Sequence, residues 1–125
     1  MKKNLKWLLP AFVLVTTVLL FRFVFFVGHV PTESMEPTIP KGSYILGCRI
    51  FGEPKVGDII VFEHEGKQLV KRIAAVGGDV VEHKGRRLII PQECFYVLGD
   101  NPDNSYDSRY WSEPFVSYRQ VIGVL

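Results

Sequence analysis

"IIVFEHEGKQLVKRIAAV", residues 59–76, reads as two strands around a turn. "IIVFE" (59–63) is a short apolar run, "HEGK" (64–67) carries hairpin-turn chemistry, and "QLVKRIAAV" (68–76) is rich in strand formers. Side chains alternate between the faces of a strand. Leu69, Lys71, Ile73 and Ala75 therefore share one face, and Val70, Arg72 and Ala74 the other. A single ammonium thus lies in an apolar row.

The same texture continues on both sides. "SYILGCRI" (43–50) precedes the hairpin, with the turn-forming "GEPKVGD" (52–58) between. "VVEH" (80–83), "RRLIIP" (86–91) and "CFYVLG" (94–99) follow, and "FVSYRQVIGVL" (115–125) reads as one closing strand. "KGRR" (84–87) reads as a solvated hairpin tip. Seven or so short strands in close succession predict a mainly β domain, an antiparallel barrel-like or sandwich arrangement.

Upstream the texture changes. Residues 7–27, "WLLPAFVLVTTVLLFRFVFFV", are apolar except for Thr16, Thr17 and Arg22. A helix of that length crosses a hydrocarbon core of roughly 30 Å. The run is too long for the core of a cleaved leader and ends without a small-residue exit site. Lys2, Lys3 and Lys6 before it orient the N-terminus to the cytoplasm. The expected organisation is a cytoplasmic segment 1–6, a transmembrane anchor 7–27 and an extracytoplasmic β-rich domain 28–125. From residue 41 onward, 11 basic residues balance 11 acidic ones. That neutrality argues against a nucleic-acid surface. Cys48 and Cys94 allow either one disulfide or two buried thiols. No histidine pair accompanies them, so a zinc site is not expected.

Three features stand out as candidate chemistry. Ser34 lies in "HVPTESMEPTIPKG" (29–42), where Pro31, Pro37 and Pro40 stiffen the backbone. Such a loop either holds a nucleophile in place or is only a rigid exit from the membrane. Lys71, if buried, has its charged form disfavoured and can act as a base towards a hydroxyl. If it snorkels to water, it is an ordinary surface lysine. The loop "GDNPDNSYDSR" (99–109) lacks the glycine and terminal glutamate of a calcium loop, and reads as Asx turns with an Asp–Arg pair. His64 at a hairpin tip and His83 at a strand end occupy solvent-like positions. No G-x-S-x-G elbow supports a Ser-His-Asp triad.

In this order, "PTESMEPT", "GDIIVF", "VKRIAAVGGD" and "GDNPDNSYDSRYW" resemble the type I signal peptidase family, from the anchor to about residue 111. The resemblance implies a serine endopeptidase that removes signal peptides from exported preproteins at the membrane surface, without metal or organic cofactor. Ser34 matches the nucleophile and Lys71 the general base of a Ser/Lys dyad. The Thr32 hydroxyl and the Ser34 N–H match the oxyanion donors. Ser105 matches the hydroxyl that orients the lysine, and Asp107 and Arg109 match a supporting ion pair. Val30, Met35, Ile45 and Val70 match positions lining shallow pockets for small side chains. A lysine in "VKRI", where endoplasmic-reticulum relatives carry histidine, resembles the bacterial or the mitochondrial-type branch, the bacterial before the mitochondrial. The short hairpin after residue 80 implies that the large inserted domain of some members is missing, and "YWSEP" departs from the usual glycine after tryptophan. Two other readings fit the same residues: a processing peptidase dedicated to one substrate, and an inactive membrane-tethered binding subunit.

Overall fold

The computed structural model describes residues 3–125, so Lys2 lies outside the described residues. The chain opens with helix α1, Leu5–Phe23, none of whose side chains is buried by the rest of the protein. Its 19 residues span about 28 Å at 1.5 Å each, long and apolar enough to cross a bilayer.

The helix stops short of the expected residue 27. Strand β1 occupies Phe25–His29 and pairs along its whole length with β2, Tyr44–Cys48. The cause is the slot around Phe26. Its ring lies where a side chain on Gly47 or Gly123 would have to go, and the Arg49 guanidinium caps it at 5.3 Å. Those two glycines let the aromatic ring into the sheet, and the apolar run changes from helix to strand to reach it.

Strands β3 (Ile59–His64) and β4 (Lys67–Val76) form the expected hairpin. Glu65 and Gly66 at its tip both have positive φ, 50° and 77°, as two-residue hairpin turns require. Strands β5 (Val80–His83) and β6 (Arg86–Ile89) form a second, two-stranded sheet with the exposed "KGRR" tip. Strand β7 is Cys94–Leu98 and β8 is Phe115–Ser117. The expected single closing strand is broken: a short 3-10 turn, Tyr118–Gln120, separates β8 from β9, Val121–Val124. Ser117 and Gln120 close that turn as a capping box, which stops the strand.

Both sheets are antiparallel, and the larger runs β1-β2-β9-β3-β4-β7-β8. Strand β4 lies between β3 and β7, so Lys71 is on an inner strand, away from any edge. Ile60, Phe62, Ile73, Phe95, Val97, Trp111 and Val116 make the main core. Two histidines depart from expectation. His83 is buried, edge-on to Tyr96 at 6.3 Å, because the small sheet folds back onto β7. His64 is half-buried, flat against Trp111 at 3.9 Å. Cys48 and Cys94 are free thiols on separate strands.

Candidate functional site

The loop between β1 and β2 closes on itself at its base: the Val30 N–H donates to Ser43 and the Gly42 N–H returns to Val30. Gly42 has a φ of 86°, the left-handed turn that a glycine takes without strain. Met35 is fully buried, with Val30 and Ile39 beside it, so the loop is plugged into the domain by its own apolar side chains. Ser34 is held between these anchors and is 5% exposed.

The segment after β7 grips the loop from outside. Asn101 donates its N–H to the Ser34 carbonyl at 2.9 Å and its side-chain Nδ2 to the Glu33 carbonyl at 3.1 Å. Thr38 Oγ1 donates to Asp100 Oδ2 at 2.6 Å. Asp100 also takes both prongs of the Arg72 guanidinium, at 2.9 and 2.8 Å, tying the loop to β4. A side chain on Gly99 would run into Ser105 and approach the Ser34 carbonyl to 2.6 Å, so only glycine fits there. Asp100, Asn101 and Gly99 were not singled out one by one in the sequence. The "GDN" run was visible, but nothing local names its partners.

Lys71 is 4% exposed, and its Nζ lies 2.9 Å from Ser34 Oγ. Its other partner is the Val70 carbonyl at 3.2 Å. Burial pushes the lysine below its ordinary pKa, while the negative charge of Asp107 works against that shift. A neutral amine at this distance can accept the hydroxyl proton. On the other flank, Thr32 Oγ1 lies 3.3 Å from Ser34 Oγ.

Asp107 is fully buried. It accepts from Arg109 Nε and Nη2 at 2.9 Å each, from the Gly99 N–H at 2.9 Å and from Ser105 Oγ at 2.8 Å. Burial alone would raise its pKa, but Arg109 and the other donors hold it below the usual carboxylate value. Ser105 is therefore beside the site, but its hydroxyl donates to Asp107 and makes no hydrogen bond to Lys71, contrary to the orienting contact expected. A carboxylate two residues on outcompetes an amine for that proton.

Val30, Met35, Ile45 and Val70 gather in one apolar bed with Ile39 and Ile59. None of the four lines the cavity of about 310 Å³ that contains Thr32, Ser34 and Lys71. A larger cavity, about 430 Å³, between Gly52–Val56 and Gln92–Phe95 holds neither Ser34 nor Lys71. Among the described residues no cluster of three metal-ligating side chains occurs.

The chain matches the family model described as signal peptidase, peptidase S26, over residues 1–95 and 86–125. It is 29% identical to signal peptidase I of Leptolyngbya laminosa over 81% of its own length, and spans 66% of that protein. With the "Probable signal peptidase I-1" of Synechocystis sp. it shares 30% identity over 98% of its length and 79% of the relative's. It is also 27% identical to the inactive signal peptidase IA of Staphylococcus aureus, over 98% of this chain and 90% of that one.

Proposed function

This chain belongs to the type I signal peptidases, peptidase S26, and from that premise we propose that it is a membrane-bound serine endopeptidase cutting signal peptides from exported preproteins with a Ser34–Lys71 dyad. The observation that carries the reading is the 2.9 Å approach of Lys71 Nζ to Ser34 Oγ, with the amine buried and its pKa lowered. Helix α1 anchors the enzyme with its N-terminus cytoplasmic and residues 28–125 outside, in the bacterial manner.

The residues divide the work. Lys71, neutral, takes the Ser34 proton as Oγ bonds to the scissile carbonyl carbon. The oxyanion that forms is met by the Thr32 hydroxyl and by the Ser34 N–H, which donates to no backbone carbonyl among the described residues. The C–N bond then breaks, and the Lys71 ammonium returns the proton to the leaving nitrogen. A water, deprotonated by the same amine, hydrolyses the ester and frees Ser34. Ile45 and Val70, half-buried over the fully packed Val30 and Met35, form shallow ground for two small side chains before the cut. The substrate runs extended along strand edges. Asp107 and Arg109 stiffen the site from behind, and Ser105 acts on Lys71 through Asp107.

The inactive Staphylococcus aureus relative makes an inactive member of the same fold the second reading. Purified protein in detergent, given a preprotein, separates the two. The expected result is cleavage at the signal-peptide boundary by the wild type and none by Ser34→Ala with an unchanged circular dichroism spectrum. Near-wild-type cleavage by Ser34→Ala removes the nucleophile assignment. An intact preprotein with both proteins favours a binding subunit.

A further inference from the structure

The cavity that holds Ser34 and Lys71 has walls unlike the apolar bed around Val30 and Val70. Leu69, His64 and Trp111 line it, and Tyr106 stands at its exposed side. Both aromatic walls are stacked: His64 on Trp111, 3.9 Å apart at 18°, and Tyr106 on Tyr110, 5.9 Å apart at 11°. Glu65 and Lys67 at its edge carry opposite charges, so no single sign is favoured there.

Acyl transfer decides which part of a substrate meets this cavity. As the C–N bond breaks, the leaving nitrogen must take a proton from the Lys71 ammonium, and so must come within hydrogen-bond reach of Nζ. The Lys71 side chain is part of the cavity wall. The chain after the cut therefore enters the cavity, and the chain before it lies over the apolar bed. In an extended substrate, alternate side chains face the enzyme. The residue just before the cut and the one two places earlier do so. The next is the second residue after the cut.

We propose that this cavity is a specificity subsite for the mature side of the cut, which takes the side chain of the second mature residue and prefers a large apolar or aromatic one. The inference rests on the Ser34–Lys71 reading. At about 310 Å³ the space exceeds what glycine or alanine fills, and Leu69 and Trp111 give it an apolar floor. His64 and Tyr106 are its specificity-determining walls.

The test uses the full chain in detergent and two peptides spanning one signal-peptide boundary, identical except for alanine or phenylalanine at the second position after the cut. Wild type should show a kcat/KM about tenfold higher for the phenylalanine peptide, with mass spectrometry placing both cuts at the same bond. The quantity compared across variants is the ratio of the two peptides within one preparation. It should fall towards one in His64→Ala and, independently, in Tyr106→Ala, where an exposed side chain is removed without opening the core. Equal kcat/KM for the two peptides in wild type, or a ratio that survives both variants, overturns the subsite and leaves the dyad untouched. If wild type cuts neither peptide, the dyad reading falls and takes the subsite with it.

Discussion

Lys71 and Arg72 are consecutive cations on β4, and they face opposite sides of the sheet. On one side the lysine is buried against Ser34 with its pKa lowered, mainly by loss of water. On the other the guanidinium is forked onto Asp100 with its pKa raised, mainly by that hydrogen bond. The difference lies in the carboxylate each one meets. Asp100 is free to bind Arg72 directly and passes the grip on to Thr38 in the Ser34 loop. Asp107 is already saturated by Arg109, Gly99 and Ser105, and reaches Lys71 only through space. A cation whose carboxylate is engaged elsewhere can lose its proton. A cation in a bidentate pair is a clamp.

Substituting on the lysine side should break this contrast most severely. Lys71→Arg keeps the charge but removes any group able to deprotonate in a protein. The expected loss in kcat/KM is about 1,000-fold or more, the usual weight of a general base. Substantial activity in that variant would make Lys71 a charge anchor like its neighbour. The serine has a second polar neighbour in Thr32, 3.3 Å from its Oγ. Thr32→Val should lower kcat about 100-fold, the weight of one oxyanion donor, and Thr32→Ser far less. A wild-type kcat for the valine variant would leave oxyanion stabilisation to backbone N–H groups.

The lysine half of the contrast was legible in the sequence. Alternation along "QLVKRIAAV" put Lys71 in line with Leu69 and Ile73, and both Lys71 and Ile73 are buried. The arginine half was not, because Asp100 lies 28 residues away and nothing local points to it. The helix end was missed for a related reason: "FFVGH" continues an apolar run, and periodicity alone does not separate helix from strand in such a run. What makes it a strand is the room left by Gly47 and Gly123, both remote. His83 was placed in solvent because its burial against Tyr96 depends on how the second sheet packs. The break between β8 and β9, by contrast, was written locally as Ser117-x-x-Gln120 and was overlooked because both flanks read as strand.

On the arginine side the expected effects are smaller. Asp100→Asn keeps the shape of the side chain and weakens the fork. It should reduce kcat about tenfold through a looser Ser34 loop, within what a small displacement of a reacting group costs. Arg72→Lys should act similarly, since an ammonium gives a point contact where the guanidinium gives two. The pH at which activity rises should stay where it is in both variants, because Lys71 faces away from the change. A shifted rise in Asp100→Asn would mean that the two faces of β4 are electrically coupled, and the contrast would fail.

Asp107→Asn should produce a change of a different kind, read in the position of the pH profile and not in its height. If Lys71 is the base proposed above, activity needs it neutral, so kcat/KM should rise with pH through the lysine ionisation, below its ordinary value of about 10.4. Two influences set that ionisation: burial lowers it, and the Asp107 charge raises it. Asparagine still offers an oxygen to Ser105 and to the Gly99 N–H, but carries no charge. With the opposing influence gone, burial acts alone and the pKa of Lys71 falls further. The neutral amine is then reached at a lower pH, and the rising limb moves towards neutrality even if looser packing lowers the plateau. The measurement is kcat/KM against pH for wild type and Asp107→Asn on one peptide. An unmoved limb would mean that Asp107 is not felt at Nζ, and movement to higher pH would reverse the sign on which the contrast with Arg72 depends.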